Sequence, residues 1–311
     1  MPTALYTHPD CHAHDMGQGH PECPQRLDAI HDHLIAIGLD VALEYREAPL
    51  VDLHDVELAH NAGYVAQLKD RLEQLALTGE SRAFDPDTSA NAGTWCAAQR
   101  AAGAAVAATD AVIDGEIDNA FCAIRPPGHH ATRDETMGFC FFNNVAIAAR
   151  HALDVRGLKR VAIVDFDVHH GNGTEDIVAG DERILMVSFF QHPLYPYCGG
   201  VPKGENMVNL PIPPYTRGGE IREMIEAMWM PRLELFKPQM IFISAGFDAH
   251  REDDLGQLGL VEADYEWITR RVKDVADRHA EGRIVSCLEG GYALSALARS
   301  VAVHLRVLAE L

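Results

Sequence analysis

The sequence predicts an α/β protein: a single domain over residues 1–311, built as a three-layer α/β/α fold with a central parallel sheet. Three observations predict this architecture. Short apolar, β-rich runs alternate with longer helical segments, the pattern of parallel strands covered by helices on both faces. No Pro/Gly/Ser-rich linker, low-complexity tract or fixed-period repeat divides the chain. With 47% hydrophobic residues, the chain can also fill a substantial core.

The predicted elements follow from these runs in chain order. Five apolar, β-rich runs predict strands at Ala120–Ile124, Val161–Asp165, Ile184–Ser188, Met240–Ser244 and Ile284–Leu288. Seven longer segments predict helices at Pro24–Ile37, His54–Leu77, Ala90–Ile113, Asn143–Leu153, Gly219–Phe236, Ala263–Arg278 and Ser295–Leu311. The proline-rich stretch Pro193–Pro214 predicts a long ordered loop, and loops of this length in compact domains are often functional.

Composition narrows the classes of partner and the compartment. The formal charge of −20, from 46 acidic and 26 basic residues, disfavours direct binding to nucleic acid or to anionic membranes and is compatible with cationic substrates. The first residues show no secretory signal, and no apolar run approaches the length of a membrane span. The seven cysteines are scattered without a CxxC pair, which indicates reduced thiols. We therefore expect a cytoplasmic protein.

The most informative segment is Val161–Gly171, where an apolar strand ends in two carboxylates and two imidazoles. In an extended chain Asp165 and Asp167 share one face, and His169 continues that row. Charged groups beside a core are costly unless they are paired, hydrogen-bonded or bound to a metal. A metal site is the leading interpretation, and an ion-paired strand end is the alternative.

Three further clusters also follow predicted strands: Arg125–His130, Ser244–His250 and Leu288–Tyr292. Each alone has a structural explanation, such as exposed loop histidines, a helix cap or turn glycines. Together they place catalytic types of side chain at four strand ends, which is where ligands bind in α/β sheets. Asp167, His169 and Asp248 would supply three ligands and leave a coordination position open, as in catalytic sites for Zn²⁺, with Fe²⁺, Co²⁺ or Mn²⁺ also possible.

These residues resemble the histone deacetylase family, which has the arginase/deacetylase fold. The matching segments are Gly19–Leu27, Arg125–Ala131, Gly138–Asn144, Asp165–Thr174, Ser244–His250 and Glu289–Tyr292, in family order over nearly the whole chain. Asn172, together with Glu289–Tyr292, resembles the class II branch, including its bacterial histone deacetylase-like amidohydrolases.

The resemblance implies a hydrolase that removes acetyl or other acyl groups from acylated lysine side chains or similar amines. It implies one Zn²⁺ per chain, held by Asp167, His169 and Asp248. His130 and the metal would activate water for attack on the amide carbonyl, and His130 would then protonate the departing amine. The Tyr292 hydroxyl would stabilise the oxyanion.

The resemblance also implies supporting roles around this centre. His129 would pair with Asp165, and Asn172 would contact His130. The substrate channel would be lined by Gly138, Phe139, Tyr195 and Leu255. A structural K⁺ would be bound near the zinc by Asp165, Asp167, His169, Ser188 and Phe189.

Three alternatives differ at identifiable positions. Ureohydrolases of this fold use two Mn²⁺ ions and need carboxylates where this chain has Gly171 and His250. Polyamine-selective deacetylases place a glutamate where Leu255 stands, so acyl-lysine or a neutral acylated amine is favoured. A non-catalytic binding module would lack a ligand, a histidine or the tyrosine, and all are present. The sequence leaves open the physiological substrate, including whether it is a histone, the acyl length, the oligomeric state, and Zn²⁺ against Fe²⁺.

Overall fold

An eight-stranded, entirely parallel sheet forms the centre of the structure, a computed structural model that describes residues 2–311. The chain contains strands β1 Thr3–Thr7, β2 Leu43–Glu47, β3 Arg82–Ala83, β4 Ser89–Ala90, β5 Asn119–Cys122, β6 Val161–Asp165, β7 Ile184–Gln191, β8 Met207–Ile212, β9 Ile241–Ala245 and β10 Ile284–Leu288. The sheet order is β2-β1-β5-β10-β9-β6-β7-β8, and β3 and β4 form a separate antiparallel pair.

Helices cover both faces of this sheet. They are α1 Asp10–Ala13, α2 Gln25–Ala36, α3 Leu53–Glu57, α4 Ala62–Thr78, α5 Thr94–Ile113, α6 Asn144–Asp154, α7 Asn172–Val178, α8 Gly218–Phe236, α9 Glu262–His279 and α10 Leu294–Leu308. One layer contains α2, α8, α9 and α10, and the other contains α1 and α3–α7. The predicted α/β/α fold with a central parallel sheet is confirmed.

The central strands read as continuous apolar runs because helices bury both of their faces. Every residue of β5, β6, β9 and β10 is buried. The small side chains of α5, such as Ala101 and Ala105, let this helix pack closely on β1, β5 and β10. Burial on both faces accounts for the accuracy of the sequence prediction at these strands.

The strands β1, β2 and β8 were not predicted, and the interpretation of Pro193–Pro214 as one loop is wrong at β8. Met207–Ile212 pairs with β7 as the edge strand, where Pro211 can be accommodated because one side of an edge strand has no partner. At the opposite edge, β2 has the mixed sequence LEYRE with alternating burial, which lacks an apolar run.

The single helix predicted at His54–Leu77 is two helices. Asn61, the residue before α4, has an extended backbone (φ −68°, ψ 133°), and the segment Leu58–Asn61 separates α4 from α3. The short helices α1 and α7 were not predicted either. At seven residues or fewer, they span too few turns to show a helical hydrophobic period.

The strand order explains why the four clusters meet. The strands β5, β10, β9 and β6 are neighbours in that order, and each is followed directly by one of the clusters. All four strands are parallel, so their carboxyl ends lie at the same edge of the sheet. Segments separated by more than 150 residues in sequence, such as 125–130 and 289–292, are thereby brought together.

Two further observations concern bulk properties of residues 2–311. None of the helices in this part of the chain combines the length and apolarity needed to cross a membrane. The seven cysteines are free thiols, and four of them are buried: Cys11, Cys122, Cys140 and Cys287.

Candidate active site

Three side chains converge at the carboxyl ends of β6 and β9. Nδ1 of His169 lies 3.0 Å from Oδ1 of Asp167 and 3.1 Å from Oδ2 of Asp248. One ligand atom from each residue lies within 4.8 Å of the others. Both carboxylates are buried, whereas the His169 side chain is slightly exposed. The predicted ligand residues are therefore close enough to share one ion.

The charge at this triad is unbalanced. Burial and the nearby Asp167 raise the pKa of Asp248 to about 7. Burial alone would also raise the pKa of Asp167, but His129 and His169 hold it well below its usual range. Two buried carboxylates this close repel each other, and a divalent cation would neutralise both. The donor set, one imidazole and two carboxylates, fits a metal such as Zn²⁺.

Backbone groups and two glycines shape the space around the triad. The N–H of Gly290 donates to Oδ2 of Asp167 at 2.8 Å, and the N–H of Val168 donates to Oδ1 of Asp248 at 2.8 Å. A Cβ at Gly290 would lie 2.0 Å from Oδ2 of Asp248, and one at Gly246 would lie 2.1 Å from Oδ2 of Asp167. With the carboxylates in these orientations, only glycine fits at the two positions.

The two histidines after β5 both point toward the triad, with ring centroids 4.0 Å apart. Nδ1 of His129 lies 3.0 Å from Oδ2 of Asp165, and Nδ1 of His130 lies 2.7 Å from Oδ1 of Asn172. Because an amide oxygen only accepts, Nδ1 of His130 must carry its proton, which leaves Nε2 as the basic nitrogen. The structure thus places the predicted partners of both histidines in contact with them.

The two histidines have opposite pKa shifts. Burial, together with His129 and His169, lowers the pKa of His130 well below its ordinary value. Burial alone would also lower that of His129, but Asp167, Asp165 and Glu289 raise it well above the ordinary value. The His130 imidazole is therefore neutral and able to accept a proton, whereas the neighbouring His129 imidazole favours the protonated form.

Tyr292 follows β10 and faces the same space. Burial and the carboxylates of Asp248 and Asp167 raise the pKa of its phenol well above the ordinary value, although Arg26 acts in the opposite direction. The guanidinium carbon of Arg26 lies 4.9 Å from the Tyr292 ring centroid. The hydroxyl is therefore protonated at neutral pH and available as a hydrogen-bond donor.

A cavity of about 580 Å³ leads from the surface to these groups. All four residues predicted for the channel line it, together with catalytic candidates: Gly138, Phe139, Tyr195, Leu255, His129, His130, His169 and Tyr292. The ring of Tyr195 meets that of His130 edge-on at 5.2 Å. The channel therefore has aromatic walls and reaches His169 of the triad.

The backbone of the channel wall is strained at Phe139. Phe139 has a φ of 70°, a region that non-glycine residues rarely adopt, and its N–H donates to Oγ1 of Thr88 at 2.9 Å. The preceding Gly138 has a φ of 54°, and a Cβ there would lie 2.4 Å from Cδ2 of His130. The sequence Gly138-Phe139 thus lets the aromatic wall approach His130 closely.

Sequence reasoning did not assign a role to the Glu289 side chain. Its buried carboxylate accepts hydrogen bonds from the N–H groups of Gly128 (2.7 Å) and His129 (3.1 Å) and from the Ser244 hydroxyl (3.0 Å). It therefore joins the loops after β5 and β10 to the end of strand β9. A lone glutamate before two glycines gives no spacing signal for such a role.

A buried ionic cluster beneath the site was also missed. Glu22 accepts from the guanidinium groups of Arg125 and Arg26, and all three side chains are fully buried. Arg26 also donates to the carbonyl oxygens of Gly291, at 2.7 Å, and Glu289. The first turn of α2 thereby supports the backbone that carries Tyr292.

The positions that would serve a second metal carry no carboxylate. A Cβ at Gly171 would lie 2.2 Å from Oδ2 of Asp165, so this position has no room for a side chain. Nδ1 of His250 accepts from the N–H of Glu252 at 3.2 Å, and its Nε2 lies 3.6 Å from the Glu262 carboxylate. The donor set within residues 2–311 fits one ion at this site.

The parallel sheet with its triad, paired histidines and tyrosine defines a hydrolase of the arginase/deacetylase fold. The chain belongs to the histone deacetylase family, whose histone deacetylase domain matches residues 20–308. This membership supports deacetylase activity, that is, hydrolysis of an amide bond.

Similar proteins come from several lineages. A histone deacetylase-like amidohydrolase of Pseudomonas aeruginosa (strain PAO1) is 38% identical over 281 residues, which cover 88% of this chain and 73% of that protein. A probable deacetylase of Archaeoglobus fulgidus is 38% identical over 305 residues, which cover 94% of this chain and 82% of that protein. The crystal structure of the HDA15 HD domain superposes with a TM-score of 0.92 at 31% identity, covering 99% of this chain and 88% of that one.

Proposed function

We propose that this protein is a zinc-dependent amidohydrolase that removes acetyl or other acyl groups from acylated lysine side chains. The observation that carries the proposal is the convergence of the Asp167–His169–Asp248 triad, His130 and Tyr292 at the end of one aromatic-walled cavity. Membership of the histone deacetylase family supports the amide-hydrolysing chemistry.

Asp167, His169 and Asp248 would hold one Zn²⁺ ion, with His169 contributing the Nδ1 atom that faces both carboxylates. When bound, the ion would polarise the amide carbonyl as a Lewis acid and make water a better nucleophile. The same three residues accept Fe²⁺ chemically, so metal analysis forms part of the test.

His130 would move the proton in both halves of the reaction. Its Nε2 is basic because Nδ1 donates to Asn172, and burial keeps the ring neutral. It would take a proton from the attacking water and deliver it to the departing lysine nitrogen. Asn172 would thus act by fixing the tautomer and the ring orientation.

Tyr292 and the His129–Asp165 pair would support the same step. The protonated Tyr292 hydroxyl would donate to the oxygen that gains negative charge as water attacks the carbonyl. His129, paired with Asp165 at 3.0 Å, would place a positive charge beside the site and orient the triad. This positive charge also lowers the pKa of His130.

The channel supports an extended, largely apolar substrate arm. Phe139 and Tyr195 would flank the methylene chain of an acylated lysine, with the charged ends of the peptide outside. The side chain of Leu255 at the wall offers no charge for the distal ammonium of an acetylpolyamine. Acyl-lysine or a neutral acylated amine is therefore favoured over an acetylpolyamine.

A structural K⁺ is proposed beside the zinc, bound by oxygens of Asp165, Asp167, His169, Ser188 and Phe189. Asp165 and Ser188 are register partners on β6 and β7, so their backbones lie side by side. The hydroxyl oxygen of Ser188 is buried without a hydrogen-bond partner among the described residues, which an oxygen-seeking cation would satisfy.

A turnover panel tests the proposal. Acetyl-lysine peptides, longer acyl-lysine peptides, acetylspermidine, acetylputrescine and arginine are each incubated with the metal-loaded protein. We expect release of acetate from acetyl-lysine peptides with the highest kcat/KM of the panel. Much faster turnover of the acetylpolyamines would contradict the proposed substrate class, and hydrolysis of arginine would contradict the proposed reaction.

A further inference from the structure

One buried carboxylate that the proposed reaction does not use connects two walls of the site. Asp253, in the loop after β9, is 5% exposed. Its Oδ2 accepts from the N–H groups of Tyr292 (2.6 Å) and Ala293 (3.0 Å), and its Oδ1 accepts from the N–H of Leu255 (3.0 Å). The side chain therefore binds the loop after β10 and the channel wall at the same time.

Tyr292 needs such a tether because of the residues before it. Gly290 and Gly291 have no side chains to pack, and Gly291 adopts a φ of 120°. The carbonyl of Gly291 is held by Arg26 from one side, at 2.7 Å. The N–H of Tyr292 itself is held by Asp253 from the other side. The peptide group that joins Gly291 to Tyr292 is thus held on both sides by buried charged groups.

We propose that Asp253 is a positioning residue for deacetylation: it fixes the Tyr292 hydroxyl at the reacting carbonyl and, through Leu255, sets the channel wall beside it. The proposal rests on the proposed role of Tyr292. A displacement of about 1 Å in a catalytic group costs up to about a hundredfold in rate. The hydrogen bonds that Asp253 accepts from Tyr292, Ala293 and Leu255 restrict the displacement of Tyr292, because they hold its backbone against the channel wall.

The variant Asp253→Asn removes one acceptor oxygen with almost no change in shape. The N–H groups of Leu255, Tyr292 and Ala293 then face one acceptor oxygen and one NH₂ group, which cannot accept. At least one of the three hydrogen bonds is therefore lost. We expect kcat on an acetyl-lysine peptide to fall by about tenfold to a hundredfold, with KM changed far less. Asp254→Asn is the matched control, because Asp254 is the exposed neighbour of Asp253 and should leave kcat unchanged.

A double-variant comparison separates positioning from general destabilisation. In a Tyr292→Phe background the hydroxyl is already gone, so adding Asp253→Asn should lower the residual rate little further. Equal losses in both backgrounds, or an unchanged kcat in Asp253→Asn, would overturn the proposal. If Asp253→Asn does not fold, Asp253→Glu takes its place, since it keeps both oxygens but lengthens the arm.

A spectroscopic readout tests the tether without any activity. In protein labelled with 3-fluorotyrosine, the Tyr292 ¹⁹F resonance is assigned by its loss in Tyr292→Phe. Asp253→Asn should shift or broaden this resonance and leave that of Tyr45, on the edge strand β2, in place. An unmoved Tyr292 resonance would contradict the tether. Full turnover by Tyr292→Phe would instead contradict the proposed function. In that case the Tyr292 resonance would still show whether Asp253 holds the position of Tyr292.

Discussion

At the scale of single residues, the site depends on two groups whose protonation is controlled by burial. His130 is kept neutral by burial and by the neighbouring imidazoles, while its bond to Asn172 selects the nitrogen that carries the proton. Tyr292 is kept protonated by burial and by nearby carboxylates. One group is therefore prepared to accept a proton and the other to donate a hydrogen bond.

The first prediction concerns these two groups. Tyr292→Phe should lower kcat by about 10²–10³, because it removes one oxyanion donor. His130→Ala should lower it by about 10²–10⁴, because it removes the general base and acid. Steady-state kinetics check both, with zinc content measured in parallel and expected to be unchanged. His54→Ala and Tyr215→Phe, at exposed positions, are the controls. Wild-type turnover in either site variant would contradict the mechanism.

A second prediction concerns the glycine above the triad. In Gly290→Ala the new Cβ would lie 2.0 Å from Oδ2 of Asp248 and 2.6 Å from Oδ2 of Asp167, so both carboxylates must move. We expect zinc affinity to fall by about 10- to 100-fold, as when supporting groups of metal ligands are disturbed. Competition with a zinc chelator measures it. Gly63→Ala is the control, since a Cβ there meets nothing within 4 Å, and equal affinity in both variants would refute the prediction.

At the scale of elements, the loops at the strand ends are held by buried charges from distant parts of the chain. Glu289 joins the loops after β5 and β10 to the end of β9, and Glu22 joins Arg125 to Arg26 beneath them. A buried ion pair stabilises the folded state little more than well-packed apolar residues of similar size would. Removing one partner, however, leaves an uncompensated buried charge and is strongly destabilising. These elements are therefore sensitive to single neutralising substitutions.

A third prediction follows for Glu22. Glu22→Gln should lower the free energy of unfolding by about 3–5 kcal/mol at pH 7, because two buried guanidinium groups lose their partner. Burial would raise the pKa of Glu22, but Arg125 and its hydrogen bonds lower it to about 2, below the ordinary value of 4.5. The stabilisation is thus complete above pH 4.5 and is lost as the pH falls through about 2.

Denaturant unfolding of the zinc-free proteins at several pH values checks this. The difference between wild type and Glu22→Gln should be largest near neutral pH and should shrink below pH 4.5. Glu57→Gln, at an exposed position of α3, should differ little from wild type at any pH. A Glu22→Gln difference that stays constant down to pH 2 would rule out the ionic explanation.

The sequence predicted most accurately the strands whose residues are all buried. Val161–Asp165 and Ile284–Leu288 were predicted with the observed bounds, because buried parallel strands are apolar throughout. Edge strands are not: β2 alternates polar and apolar residues, and β8 contains Pro211. In the site, the motif residues were brought together as expected. Asp253 and Glu22 were missed as supporting groups, because an isolated carboxylate in a loop gives no sign of the backbone it will meet.

At the scale of the whole molecule, the site is a consequence of strand order. Four neighbouring strands, β5, β10, β9 and β6, each deliver one cluster to the same edge of the sheet. The alternation of strands and helices predicted a parallel sheet, but the order of strands depends on which helices cross which face, which local sequence does not encode. Within residues 2–311, the resulting arrangement places one group of possible metal ligands beside one channel.

The central claim is that one metal ion at Asp167, His169 and Asp248 supports hydrolysis of acyl-lysine. The most direct measurement titrates Zn²⁺ into the metal-free protein while acetate release from an acetyl-lysine peptide is followed. We expect activity to rise linearly and to reach its plateau at one equivalent per chain, and we expect Asp248→Ala to stay inactive throughout. A plateau at two equivalents, or full activity without metal, would contradict the claim.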